Sequence, residues 1–157
     1  MKIIDLISGA RPNFIKIISI IRALEKSEFF NKKFKYRLIH TGQHFDKEMS
    51  KNFFNQLDIP TPDIQFNIGA NTQSKQTADI MTKYEKLLNS KPSNLCLVVG
   101  DVTSTMACAI VAQKFCIQVA HVEAVIRSGD WTMPEEINRL VTDSITNHFF
   151  TTSIYAN

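Results

Sequence analysis

Leu95-Cys96-Leu97-Val98-Val99-Gly100-Asp101-Val102-Thr103-Ser104-Thr105 is the stretch that decides the fold class. Its five leading apolar residues are too few for a helix and read as a strand buried on both faces, the kind found in parallel sheets. Gly100-Asp101 breaks that strand. Thr103 or Ser104 can then cap a helix whose apolar face is Met106, Ala107, Ile110 and Val111. Strand, short turn and helix in that order form the repeating unit of an α/β domain.

The same unit recurs on either side. Ile3–Ile7 reads as a buried first strand, broken by Gly9-Ala10-Arg11-Pro12 and followed by a helix with Phe14, Ile17, Ile18, Ile21 and Leu24 at helical spacing. Phe34–Thr41 is a second strand, Asp46–Leu57 a helix, and Ile64–Ile68 a short third strand after Pro60 and Pro62. Residues 72–89 predict a helix carrying Ile80, Met81, Tyr84, Leu87 and Leu88, which Pro92 stops. Beyond the deciding stretch come a strand over Ile117–Val122, a helix from about Pro134 with Ile137, Leu140, Val141 and Ile145 toward the core, and a last strand at His148–Thr151. The pattern predicts a doubly wound, Rossmann-like parallel sheet, and 157 residues without repeat or linker predict a single domain over 1–157.

Composition narrows the function classes. With 44% hydrophobic and 21% charged residues the chain has globular proportions. Eighteen Lys+Arg against 15 Asp+Glu, scattered along the chain, leave no basic footprint for nucleic acid or a membrane surface. No apolar run approaches the roughly 18–20 residues of a membrane helix, and Met1–Asp5 lacks a secretory h-region. Cys96, Cys108 and Cys116, an odd count in apolar sequence without a C-x-x-C pair, are expected as buried thiols in a reducing cytoplasm.

Ligands of open parallel sheets bind at the carboxyl ends of the strands, which directs attention to the loops there. Those loops hold Arg11 and Lys16, then Thr41, Gln43 and His44, then Asp101, Thr103 and Ser104, and finally Glu123, Arg127 and Asp130. Arg11 and Lys16 bracket a helix start that favours an anion, although both also fit as solvated cations. The glycine fingerprints of dinucleotide sites and P-loops are absent. Asp101 suits either a base or a helix cap. His121-Val122-Glu123 has the H-x-E form of zinc deaminases but lacks the P-C-x-x-C partner, so a metal is not expected and His121 reads as a buried group orienting its loop. Thr132-Met133-Pro134-Glu135 fits a capping box, with Arg139 four residues on as a possible partner for Glu135.

Five motifs then combine. Gly9-Ala10-Arg11-Pro12-Asn13-Phe14-Ile15-Lys16, His40-Thr41-Gly42-Gln43-His44, Gly100-Asp101-Val102-Thr103-Ser104-Thr105, His121-Val122-Glu123-Ala124 and Met133-Pro134-Glu135-Glu136-Ile137-Asn138-Arg139 occur in an order and spacing that resemble the bacterial non-hydrolysing UDP-N-acetylglucosamine 2-epimerases. The resemblance runs from Met1 to about Thr152. It implies one half of a GT-B-type pair of Rossmann-like domains with the active site in the cleft between them. It also implies interconversion of UDP-GlcNAc and UDP-ManNAc, with no metal or redox cofactor, through loss of the C2 proton, elimination of UDP and its re-addition. By motif, Arg11 and Lys16 match the family's cationic pair, and Asp101, Glu123 and Glu135 its three essential carboxylates. Arg139, in the last motif, and Arg127, just past the fourth, are further candidates for holding the UDP-sugar, and Gln43 and His44 match a stretch that contacts a second, activating nucleotide-sugar in some members.

Two departures qualify the match. Most of the family has Gly where this chain has Val125, and a β-branched residue resists positive φ, so the loop holding Glu123 and Arg127 is expected to be distorted if the turn needs that geometry. The family also continues for roughly another domain, which supplies most nucleotide contacts and a catalytic histidine. The expectation is therefore an N-terminal domain, alone or from a truncated or split gene, inactive by itself and either homodimeric or paired with a C-terminal half. A non-catalytic nucleotide-sugar-binding or dimerisation remnant is the alternative. The acceptor-side half of a GT-B glycosyltransferase shares the fold but fits the motifs poorly. Relatives acting on diacetamido uronic acid nucleotides look much alike in this half, so the sugar is left open.

Overall fold

Alternation along each strand sends neighbouring side chains to opposite faces, and here both faces are covered. In the computed structural model, which describes residues 1–42 and 60–152, β1 (Lys2–Ser8) buries Leu6 in one core and Ile7 in the other. Leu6, Leu38, Leu97, Val99 and Ala120 pack under Ile17 and Ile21 of α1 (Arg11–Glu25). On the opposite face Ile7, Ile39, Val98 and Val119 pack under α3 (Gln73–Ser90) and α4 (Thr103–Lys114), which contribute Ile80, Tyr84, Leu88 and Ala107. Burial of each large aliphatic side chain is worth roughly 1.5–3 kcal/mol. The two layers therefore hold the sheet from both sides.

The remaining elements are α2 (Glu28–Lys33), β2 (Phe34–His40), β3 (Ile64–Gln65), β4 (Leu95–Val99), β5 (Gln118–Ala124), α5 (Pro134–Ser144) and β6 (His148–Thr151). The strand order is β3-β2-β1-β4-β5-β6 and every neighbouring pair is parallel. This is the doubly wound order, with its topological switch between β1 and β4. The carboxyl ends of those two strands, Ser8-Gly9 and Val99-Gly100, are where a ligand crevice belongs.

One expectation falls where nothing is described, and several others are corrected. The helix expected over Asp46–Leu57 lies outside the described residues. The short helix α2, capped by the Ser27 hydroxyl on the Phe30 N–H (3.2 Å), was not anticipated. β3 stops at Gln65, and Asn67 takes φ +52°. β5 runs on through Glu123 to Ala124, so Glu123 belongs to the strand rather than to a loop after it. The cap of α4 is Val102, with no side-chain hydrogen bond, and the helix is buried nearly all round instead of along one face. Cys116 is exposed, whereas Cys96 and Cys108 are buried and burial pushes the Cys96 thiol up to about 12.

The largest correction concerns α5. Its buried residues are Glu136, Asn138, Thr142 and Asp143, while Ile137 is 38% exposed and Leu140 and Val141 are only half-buried. The polar stripe turns inward because Glu136, Asn138 and Asp143 find hydrogen-bond partners there and Thr142 bonds back to the Asn138 carbonyl of its own helix, which removes the usual penalty for burying them.

Candidate active site

The crevice is built from glycines and hydrogen bonds before any charge enters it. A Cβ on Gly9 would lie 1.9 Å from Ser104 Oγ, so the absence of a side chain lets the start of α4 close against the turn after β1. Asn13, in the first turn of α1, donates through Nδ2 to the Val99 carbonyl at 3.1 Å. Gly100 adopts φ +68°, turning the chain so that its amide donates to the Val122 carbonyl (3.0 Å) and Asp101 faces α5. A Cβ there would meet Asn13 Oδ1 at 3.5 Å and Glu123 Oε2 at 3.6 Å. Those approaches place the Glu123 carboxylate directly over the β4 turn.

Two ion pairs straddle that turn. Lys16 of α1 binds Glu123 of β5, and Arg139 of α5 binds Asp101. Arg139 also reaches Glu136 Oε2 at 2.9 Å, and Asn138 Nδ2 donates to the Asp101 carbonyl at 2.8 Å. Residues more than one hundred positions apart thus meet at one edge of the sheet. Glu123 does so from φ +64°, at an irregularity in the β5–β6 register, and Val125 follows at φ +67°. Non-glycine residues in this region are strained, and such strain concentrates where a side chain must be aimed. Val125 therefore adopts the glycine-favouring geometry at a conformational cost.

The other candidates fall unevenly. Glu135 is exposed on the first turn of α5 and, among the described residues, has no hydrogen-bonding or ionic partner. The capping box expected to hold it does not form, since Met133 is the cap and Thr132 Oγ1 donates to Asp130 at 2.6 Å. Arg139 pairs with Glu136 and Asp101, not with Glu135. Arg127 binds Asp143 at 2.6 Å rather than Asp101 or Glu123. Arg11 opens α1, its side chain lying outside what the structure describes, as do Gln43 and His44. No cluster of His, Cys, Asp and Glu among the described residues is arranged to hold a metal, and no described helix is long and apolar enough to cross a membrane.

Residues that the sequence reading passed over support the site. Glu136 accepts from the Ser128 amide (3.0 Å), the Ser128 hydroxyl (2.9 Å) and the Gly129 amide (3.3 Å). The Ser128 amide, with help from Arg139, the hydroxyl and Gly129, holds the Glu136 carboxyl down to about 2 although burial works against it. Burial likewise opposes ionisation of Asp143, and hydrogen bonds from His121 and Arg127 outweigh it and keep that carboxyl below its usual range. The available signal was the spacing of Glu136, Arg139 and Asp143, which share one helical face at i, i+3 and i+7. Beside this cluster a cavity of about 620 Å³ opens between the starts of α3, α4 and α5, lined by Gln73, Thr77, Thr103, Trp131 and Asn138 among others.

The profile of the UDP-N-acetylglucosamine 2-epimerase family matches residues 27–157. The chain belongs to that family. It is 46% identical over 151 residues to a UDP-N-acetylglucosamine 2-epimerase homolog of Methanococcus maripaludis, covering 96% of this chain and 40% of the relative. It is 40% identical over 150 residues to the UDP-2,3-diacetamido-2,3-dideoxy-D-glucuronate 2-epimerase of Pseudomonas aeruginosa, covering 96% and 41%. The crystal structure of Methanocaldococcus jannaschii UDP-GlcNAc 2-epimerase in complex with UDP-GlcNAc and UDP superposes with a TM-score of 0.89 at 42% identity, covering 99% of this chain and 41% of that one. The chain thus spans about 40% of the length of these epimerase-family relatives.

Proposed function

We propose that the chain is the N-terminal domain of a nucleotide-sugar 2-epimerase and carries the acid–base half of its active site. The observation that supports this reading most is the meeting of Lys16–Glu123 with Arg139–Asp101 at the topological switch of the sheet. Loss of a weakly acidic C2 proton while UDP departs needs carboxylates near the sugar carbons and cations near the diphosphate. A diphosphate drawn to Lys16 and Arg139 competes with Glu123 and Asp101 for those cations and frees the carboxylates to move protons. Arg11 adds positive charge at the helix start, and the unpaired Glu135 is the third acid–base candidate. Arg127 serves the turn through Asp143 and touches the sugar only if that pair opens. Gln43 and His44 are assigned to a second nucleotide-sugar.

Turnover on this reading requires the second domain, because most nucleotide contacts come from it, and no redox cofactor or metal. The exposed Trp131, Ile137, Phe149 and Phe150 support pairing with such a half or with a second copy of the chain. The buried thiols Cys96 and Cys108 suit a cytoplasmic protein. UDP-GlcNAc is the first substrate to try, and the 40% identity to the Pseudomonas relative makes the diacetamido-glucuronate nucleotide the second.

The deciding measurement is epimerisation by the 157-residue chain, alone and with the C-terminal part of the Methanocaldococcus relative supplied in trans, accompanied by calorimetry with UDP-GlcNAc. Activity only in the mixture is expected. Robust turnover by the chain alone overturns the division of labour, and binding without any turnover in the mixture favours a non-catalytic nucleotide-sugar-binding domain.

A further inference from the structure

His121 is 0% exposed, and both of its ring nitrogens are engaged. Nδ1 lies 2.7 Å from Asp143 Oδ1 and Nε2 lies 2.8 Å from the Gly100 carbonyl oxygen. A carbonyl and an ionised carboxylate only accept, so each contact needs a proton on the nitrogen. A neutral ring has one such proton, and its other nitrogen would face an oxygen lone pair at hydrogen-bond distance. A protonated Asp143 could rescue the neutral ring, but its Oδ2 already accepts from Arg127 (2.6 Å) and from the Val125 amide (3.1 Å), which favour the ionised form. The doubly protonated ring satisfies every group at once, and the adjoining carboxylate compensates the buried charge.

We propose that His121 is an imidazolium held between the Gly100 carbonyl and Asp143, and that the two are positioning residues for Asp101 and Glu123. The proposal rests on the epimerase reading only for the roles of the two carboxylates it positions. Gly100 precedes Asp101, and the imidazolium fixes the orientation of its peptide. Asp143 grips the Val125 amide two residues beyond Glu123, where both residues have positive φ. One buried bridge therefore couples the turn after β4, the end of β5 and α5. The charged groups around the ring are Asp143 on α5, Arg127 sharing that carboxylate, and Asp101 next to the accepting carbonyl.

The test is long-range ¹H–¹⁵N NMR on the chain with labelled histidine, assigned with His121→Gln. At pH 7.5 both His121 ring nitrogens are expected to carry protons, and Asp143→Asn is expected to remove the Nδ1 proton and shift the Asp101 and Glu123 amides while the Ile80 and Tyr84 amides stay in place. A single-tautomer neutral ring in the unsubstituted chain overturns the proposal, even if Asp143→Asn does not fold. So do Asp101 and Glu123 amides that remain unmoved in a folded Asp143→Asn. Both readouts need no nucleotide, so failure of the epimerase reading, scored separately by UDP-GlcNAc calorimetry, is distinguishable from failure here.

Discussion

Two sets of opposite charges occupy this sheet and do different things. Under α3, Arg37 of β2 grips Asp5 of β1 through Nε (2.7 Å) and Nη2 (2.8 Å), Tyr84 adds its hydroxyl (2.9 Å), and the remaining guanidinium arm donates to the Lys91 carbonyl (3.0 Å). Asp5 is 0% exposed. At the carboxyl edge, Lys16–Glu123 and Arg139–Asp101 are monodentate at the acid and partly open to solvent. The first set has both acid oxygens committed and no path for an incoming group. Among the described residues the second leaves one carboxylate oxygen on each acid without a partner, and its side chains are partly exposed. Charge at a sheet is therefore no mark of chemistry by itself; saturation and access separate the locking pair from the two proposed to act on substrate.

The comparison can be broken by substitution. Asp5→Ala leaves the Arg37 charge buried without its partner, so a loss of about 3–5 kcal/mol in folding stability is expected from urea unfolding. Asp101→Asn, in a partly exposed pair whose Arg139 keeps Glu136 as a partner, is expected to stay within about 1 kcal/mol of the parent. Similar stability losses for the two variants would erase the distinction.

Acid sharpens it further. The Glu136 carboxyl sits at about 2 in the folded chain against an ordinary 4.5, so its contribution is full above about 4.5 and disappears as pH falls toward about 2. Stability is expected to decline through that window, and Glu136→Gln to flatten that part of the profile. An unchanged acid slope in the variant would show that the Ser128 loop does not depend on this carboxylate.

The smallest expected effect is at Val125. Glycine relieves a left-handed β-branched residue worth roughly 1–2 kcal/mol but adds unfolded-chain entropy of roughly 0.5–1 kcal/mol. Val125→Gly is therefore expected to raise the melting temperature by a few degrees at most. A fall would mean that the Val125 side chain supports the edge.

Much of this was readable beforehand where the physics is local. The β4 run, the Gly100 break and the period of α1 are decided by residues within a few positions of one another, and they appear as expected. α5 was read wrongly because Ile137, Leu140 and Val141 compete with Glu136, Arg139 and Asp143 for the inner face. Only the presence of Asp101, Ser128 and His121 opposite the helix decides that contest. The Asp5–Arg37 lock was missed for the same reason, since an acid inside an apolar strand shows its partner only once β1 and β2 lie side by side.

By itself, then, the amino-acid order determined the alternation of strand and helix, the parallel doubly wound class and the motifs that align with the epimerase family, because backbone propensity and hydrophobic period act over short distances. The tertiary structure alone decided which charges pair, that Glu123 and Val125 take left-handed backbone, that Glu136 is buried while Glu135 stays exposed, and that His121 is bridged to Asp143. Those outcomes depend on desolvation and on partners brought from distant positions, quantities that exist only after the sheet has assembled.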